Sequence, residues 1–232
     1  MPDPIRSPLQ FGAVTILPTT AVDVRLWLLR LPGDPAATGF GPLGPEERTR
    51  ATAFRRPDLR ARYVAAHTAL REILGAETGR APGDLVMVRE PCPGCGELHG
   101  RPALEDGPHF SLSHSDDVVL VGVADAPIGV DVEGTATESS IGDVLPRLHP
   151  AEQAEIRDAA DRSAAFTTVW VRKEAWLKGI GIGLARSLAE DHIGHRGQPP
   201  GWSVADVPAI PGYAAAVAVR GALGRLEVAD RV

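Results

Sequence analysis

The chain is poor in sulfur. Its 232 residues include two cysteines, both in the stretch Cys92-Pro93-Gly94-Cys95. That excludes a disulfide framework, and so short a spacing rarely closes a good structural bridge. A zinc knuckle needs two further ligands, and only His99 and His109 lie near in sequence; the proline and glycines suit a structural turn, which is the favoured reading. Long apolar runs are also missing. There is no stretch of about 18 uncharged apolar residues, and no basic N-terminal region leads into an apolar one, so no membrane partner is expected and a cytoplasmic location is. Several catalytic signatures are absent as well. No G-x-x-x-x-G-K-[ST] loop occurs, no G-x-G-x-x-G follows a strand, and no G-x-S-x-G surrounds a serine. These absences argue against P-loop, dinucleotide-binding and α/β-hydrolase chemistry. Gly179 to Gly183 spells G-x-G-x-G, but after a helical segment, the wrong context for a dinucleotide.

What remains is an ordinary globular composition, 44% hydrophobic and 23% charged, in a chain long enough for one large domain or two small ones. The net charge of −6 argues against a nucleic-acid partner. Basic charge is concentrated, though, at Arg48, Arg50, Arg55, Arg56, Arg60 and Arg62, which reads either as a solvated helix face or as an anion site.

Along the chain, Ala13 to Leu17 and Val22 to Leu31 read as strands, and Gly33 to Pro45 as a loop. Pro45-Glu46-Glu47 has the proline and acids of a helix start. Tyr63, His67, Leu70 and Leu74 recur on one helical face from about Leu59, with Arg60, Arg62 and Arg71 mostly off that stripe and Gly75 as a left-handed cap. Pro91 to Pro108 reads as loop. Three strands follow, Phe110 to His114, Val118 to Ala124 and Ile128 to Glu133, with turns at Asp116-Asp117 and Asp125-Ala126-Pro127. Pro150 opens a short helix and about Ser163 to Ile180 forms a longer one, stopped by Gly179, Gly181 and Gly183. Short strands close the chain at His192–Ile193, Trp202–Val204 and Tyr213 to Val219. The expectation is an α+β fold of two sub-domains, 1–126 and 127–232, broken near Pro127.

Chemistry concentrates in a few places. Residues two apart on a strand share a side, so Ile128, Val130 and Val132 form one face and Gly129, Asp131 and Glu133 the other. Two carboxylates on one face repel unless a cation lies between them, and oxygen ligands suit Mg²⁺; an edge strand with solvated acids is the alternative. On the long helix Trp170, Glu174 and Lys178 recur at i, i+4, i+8. Glu174 and Lys178 can form a simple exposed ion pair, but Trp170, Lys173, Trp176 and Leu177 surround them with bulk, and a half-buried carboxylate there needs a partner. Ser113 and His114 are strand neighbours and point opposite ways, so this histidine is no base for this serine; a phosphate contact fits both better. In Gly100-Arg101-Pro102 the glycine permits close approach of a ligand and the arginine can bind phosphate.

Taken together, Gly100-Arg101-Pro102, Phe110-Ser111-Leu112-Ser113-His114, Ile128-Gly129-Val130-Asp131-Val132-Glu133 and Trp170-x-x-Lys173-Glu174-Ala175-x-x-Lys178 resemble the 4′-phosphopantetheinyl transferases of the Sfp type. The resemblance runs from about Pro45 to Tyr213. It implies a monomeric pseudo-dimer of two similar α+β halves with the active site between them. It implies transfer of phosphopantetheine from coenzyme A to a serine of an acyl or peptidyl carrier protein, with polyketide or non-ribosomal peptide synthesis the expected setting. By the same resemblance Asp131, Glu133 and Glu174 ligate Mg²⁺, and Asp131, Glu174 and Lys178 carry the catalysis. Lys178 contacts a coenzyme A phosphate, and Ser113 and His114 hold the nucleotide end. Gly100, Arg101 and Pro102 stand where the family often has G-K-P. Arg50 and Arg62 match cofactor-contacting basic positions, Arg48 and Lys173 more loosely, and Gly181 to Pro211 faces the carrier. A coenzyme A binder without activity and a Mg²⁺-dependent pyrophosphohydrolase are the competing classes.

Overall fold

The computed structural model describes residues 21–31, 39–183, 186–195 and 197–231. The strand expected at Ala13 to Leu17 lies outside them. The first half runs β1 (Val22–Arg30), α1 (Pro45–Thr52), α2 (Pro57–Thr78), β2 (Met87–Arg89), β3 (Pro102–Leu104), β4 (His109–Ser115) and β5 (Val118–Ala124). The second runs β6 (Ile128–Gly134), α3 (Glu138–Val144), α4 (Pro150–Asp158), α5 (Arg162–Ile180), β7 (Trp202–Val207), β8 (Tyr213–Arg220) and β9 (Leu223–Arg231).

The two halves repeat one topology. In the first sheet the order is β4-β5-β1, and in the second β7-β8-β6. In each, an opening strand is followed by a long helix, and then by an antiparallel hairpin whose second strand pairs with the opening strand. No similarity of sequence announces this, because a strand needs only alternation and a helix only its period. The final strand breaks the symmetry: β9 returns to the first sheet and pairs in parallel with β1.

Strand alternation builds four layers. Leu29, Val119, Val121 and Val123 pack against Ala66, Leu70, Ile73 and Leu74 of α2. The opposite faces, Val24, Leu26, Val118 and Leu120, meet Ile128, Val130, Val132, Val217 and Val219 of the second sheet. Beyond that sheet Ala216, Ala218 and Val204 carry α5 through Phe166, Val169 and Trp176. Strands buried on both faces lose the polar alternation of a solvated sheet, which is why β5 reads as a continuous apolar run. Among the described residues no helix is long and apolar enough to cross a membrane.

Several sequence expectations need correction. The helix begun near Leu59 runs on to Thr78; Gly75 lies inside it, and the left-handed cap is Gly79 at φ +67°. Gly75 is instead a packing position, since a Cβ there would meet the Arg80 carbonyl oxygen at 2.8 Å. Arg71, placed off the apolar stripe, is buried: its Nε donates to Glu47 Oε2 at 2.6 Å and its Nη1 to the Pro82 carbonyl at 2.8 Å. The loop expected at Pro91 to Pro108 contains β3, paired with β2. No strand forms at His192–Ile193. A further strand, β9, lies beyond the last one expected and forms an edge of the first sheet. β5 and β6 are joined by the expected short turn yet belong to different sheets.

Candidate active site

The site lies where β4 of the first sheet meets β6 of the second, under the last turns of α5. Glycine makes that approach possible. A Cβ on Gly129 would strike the Ala175 carbonyl oxygen and the Gly179 backbone, with Gly179 Cα at 2.9 Å. Without side chains at either position, α5 settles directly on β6 and brings Glu174 and Lys178 over Asp131.

Lys178 Nζ donates to Asp131 Oδ1 at 2.6 Å and to Ser113 Oγ at 2.9 Å, and Ser113 Oγ donates to the same carboxylate oxygen at 2.7 Å. Asp131 is 2% exposed. Its other oxygen, Oδ2, is buried without a protein partner, as is Glu174 Oε1. Glu133 Oε2 accepts from Ser115 Oγ at 2.8 Å. Burial pushes the carboxyls of Asp131, Glu133 and Glu174 above their usual range, with mutual repulsion added at Glu133 and Glu174 and Lys178 opposing at all three. This is the electrostatic condition that a cation relieves. The oxygen donors and the two orphaned atoms suit a hard cation, Mg²⁺ foremost. The three acids do not all lie within 4.8 Å of one another; among the described residues the set that does is Cys92, Cys95 and His99.

Serine spacing builds the join between the halves. Ser111, Ser113 and Ser115 alternate along β4, and their hydroxyls meet Val130 N, Asp131 and Glu133 on β6. Sequence reading singled out Ser113 alone; the period-two serine pattern was the signal for the other two.

Beside the acids lie His114, Arg62 and His67. His114 sits on the α2 side of β4, opposite to Ser113 as strand geometry requires. Partial desolvation, followed by the charges of His67, Lys178 and Arg62, holds its pKa below the ordinary histidine value. Arg62 is ion-paired with Asp116 at 3.2 Å across an exposed gap, a weak restraint. His67, read only as a helix-stripe residue, stacks on Tyr63 and bonds through Nδ1 to Glu47 Oε1 at 2.9 Å.

Other expected site residues are engaged elsewhere. Lys173 does not reach the cluster: it is 1% exposed, forms an ion pair with Glu152 Oε2 at 3.0 Å, and donates to the carbonyls of Leu188 and Asp191. On a helix, adjacent residues point about 100° apart, so Lys173 faces α4 while Glu174 faces β6. Arg101 donates to Gly179 O at 2.7 Å and pairs with Glu90 at 2.7 Å, securing the end of α5. The close approach permitted by Gly100 is to the Glu90 carbonyl oxygen, 2.6 Å from a Cβ placed there, and Pro102 is exposed in β3. Arg48 donates to the Leu43 and Gly41 carbonyls, and Arg50 lies over the Phe54 ring at 5.5 Å.

A cleft of about 400 Å³ opens beside Glu133, lined by Ser115, Asp116, Thr137, Phe166 and Trp170. A larger one of about 710 Å³, around Arg25, Glu77, Arg80 and His109, contains none of the three acids, whereas the smaller borders Glu133.

Residues 127–204, from the start of β6 into β7, match the model of the 4′-phosphopantetheinyl transferase superfamily. The chain is 31% identical over 220 residues to the 4′-phosphopantetheinyl transferase HetI of Nostoc sp. strain PCC 7120, covering 86% of this chain and 88% of that protein. It is 27% identical over 157 residues to the 4′-phosphopantetheinyl transferase Sfp of Bacillus subtilis strain 168, covering 63% and 69%. The 4′-phosphopantetheinyl transferase gsp of Aneurinibacillus migulanus is 27% identical over 133 residues, 53% of each chain. With an α+β architecture of two repeated halves and an acid–lysine cluster at their join, the chain belongs to the 4′-phosphopantetheinyl transferase superfamily.

Proposed function

We propose that this protein transfers the 4′-phosphopantetheine arm of coenzyme A to a serine of an apo acyl or peptidyl carrier protein, releasing 3′,5′-ADP. The observation that carries this reading is the buried Asp131 carboxylate, paired with Lys178 on one oxygen and orphaned on the other, with Glu174 Oε1 also orphaned nearby. Asp131, Glu133 and Glu174 would hold Mg²⁺, which supplies neutralisation of the pyrophosphate when bound.

The remaining work falls to side chains of this chain. As the carrier serine oxygen bonds to phosphorus and the bond to the departing 3′,5′-ADP breaks, negative charge grows on the phosphoryl oxygens. Lys178, held by Asp131 and Ser113 but a third exposed, is placed to follow that charge. Glu174 is the carboxylate that takes the serine proton, on the oxygen it does not turn to the cation. Arg62 supplies the positive charge for the nucleotide phosphates, with the His67 and His114 rings beside it as hydrogen-bonding groups. The cleft beside Glu133 accommodates the pantetheine arm, with the Phe166 and Trp170 rings on its wall.

We place the reaction in the cytoplasm, on carriers of polyketide or non-ribosomal peptide synthesis, by a monomer with no nucleic-acid or membrane partner. Residues 181–211 would meet the carrier. In support, Arg172 and Lys173 anchor the described part of that segment to α5 through the Ile193, Leu188 and Asp191 carbonyls.

The test is the intact mass of an apo carrier incubated with the protein, coenzyme A and Mg²⁺. A gain of one phosphopantetheine, lost with chelator and restored by Mg²⁺, is the expected result. Turnover of coenzyme A with water alone would instead make the protein a pyrophosphohydrolase. Binding without turnover across carriers of several pathways would make it a non-catalytic binder.

A further inference from the structure

The loop between β2 and β3 is not explained by phosphopantetheine transfer. Its two strands are three residues each, and residues 93–99 between them are exposed, Leu98 by 71%. A loop with so little apolar burial has no core to hold one conformation. Yet it is tightly wound: Cys92 N donates to Glu97 O, Gly96 N to Cys92 O, and His99 N to Glu97 O, at 2.7 to 2.8 Å. That winding brings the Cys92 and Cys95 sulfurs and a His99 ring nitrogen within 4.8 Å of one another, with Cys95 Sγ and His99 Nε2 at 3.0 Å.

We propose that Cys92, Cys95 and His99 form a zinc site, with water in the fourth position. A tetrahedral ion with bonds of about 2.0–2.3 Å has ligand separations of roughly 3.4–3.8 Å, so the three side chains need adjust by no more than about 1 Å. Two thiolates and an imidazole are soft and borderline ligands, a set that suits zinc rather than the hard cation of the acid cluster. Binding displaces the thiol protons to solvent and changes no oxidation state. Cys92 is buried and forms the inner side; Cys95 and His99 are exposed and leave the fourth position to solvent.

The position gives the site a purpose. A Cβ placed on Gly94 would lie 3.5 Å from the Ile182 side chain, just beyond α5. Two residues after His99, Arg101 donates to Gly179 O. A metal clip on this loop therefore secures the strut that braces the end of α5, the helix bearing Glu174 and Lys178. It acts as a positioning element, outside the reaction itself.

The test uses the full chain purified under reducing conditions without chelator. Elemental analysis is expected to find about one zinc per chain, released when a mercurial titrates the thiols. Metal-stripped protein titrated with Co²⁺ is expected to develop thiolate charge-transfer and tetrahedral d–d absorption, which Mg²⁺ cannot produce. Cys95→Ser and His99→Ala are expected to lose that spectrum, and stripping the wild type to lower its melting temperature by at least about 2–4 °C. No zinc and no cobalt spectrum in the wild type would overturn the proposal. So would a Cys92–Cys95 disulfide in the protein as purified, or a metal content unchanged in both variants. The readout is independent of transfer: restoration of chelated enzyme by Mg²⁺ alone tests the acid cluster, while cobalt absorption tests the cysteines.

Discussion

Lys178 Nζ lies 2.6 Å from Asp131 Oδ1, and the pair joins the last turns of α5 to the middle of β6. Asp131→Asn keeps the shape and an acceptor for Ser113 but removes the charge. Lys178 is about a third exposed and tolerates the loss of its partner, so the fold is expected to survive. Transfer should fall by at least about 100-fold, the scale for removing one charge-stabilising group from an active site. Carrier mass shift and circular dichroism on the same sample check both halves of the statement. Wild-type turnover in Asp131→Asn would remove the acid cluster from the chemistry.

Gly129 is expected to reject a methyl group. In Gly129→Ala the new Cβ faces the backbone of Ala175 and Gly179, which cannot swing aside as a side chain can. The helix must lift, at a cost of roughly 1–3 kcal/mol, and carries Glu174 and Lys178 away from Asp131. Both stability and turnover should drop. Gly134→Ala in the same strand is the control, because the nearest obstacle there is the Tyr213 ring at 3.8 Å. Equal behaviour of the two variants in thermal melts and mass-shift assays would refute the close-approach argument.

Glu47 should give stability a pH signature. Burial pushes its carboxyl up, but the bonds from His67, the Gly44 N–H and Arg71 outweigh that and hold it below its ordinary value of 4.5. A depressed folded pKa means that the stabilisation is fully present above the unfolded value and lost as pH falls through the folded one. Glu47→Gln is therefore expected to cost about 1–3 kcal/mol near neutrality. The difference from wild type should shrink as pH drops below 4.5. Melting curves between pH 7 and about pH 3 decide it; a gap that stays constant would show the charge to be irrelevant.

Lys173 and Glu152 are both fully buried, and the pair is expected to behave as structure. Lys173→Met strands Glu152 with two backbone donors, His149 N and Ile193 N, and should cost about 3–5 kcal/mol. Adding Glu152→Gln should recover most of that. Denaturant titration of the single and double variants measures the coupling. A Lys173→Met protein of normal stability but raised KM for coenzyme A would instead return Lys173 to the cofactor site.

Much of this molecule was legible along the chain. The helix at Arg162–Ile180, the strands at β4 to β6, and the acids and lysine of the cluster all followed from period, turn residues and motif, which depend on near neighbours. Burial on both faces of a strand, and the partner of a charge, depend on what arrives from far away. Arg71 lies mostly off the apolar stripe of its helix and is buried all the same, because Glu47 of another helix meets it. Lys173 had the motif position of a cofactor ligand and the environment of a core residue, because one helical step turns it from β6 toward α4.

Local pattern was thus written in the order of residues: most of the strands and helices, and the acids, lysine and serine that the fold brings together. Only the tertiary structure decided that β9 crosses back to β1 and that three alternating serines seal β4 against β6. Each is a contact set by packing between elements, and local propensity carries no information about which distant element will supply it.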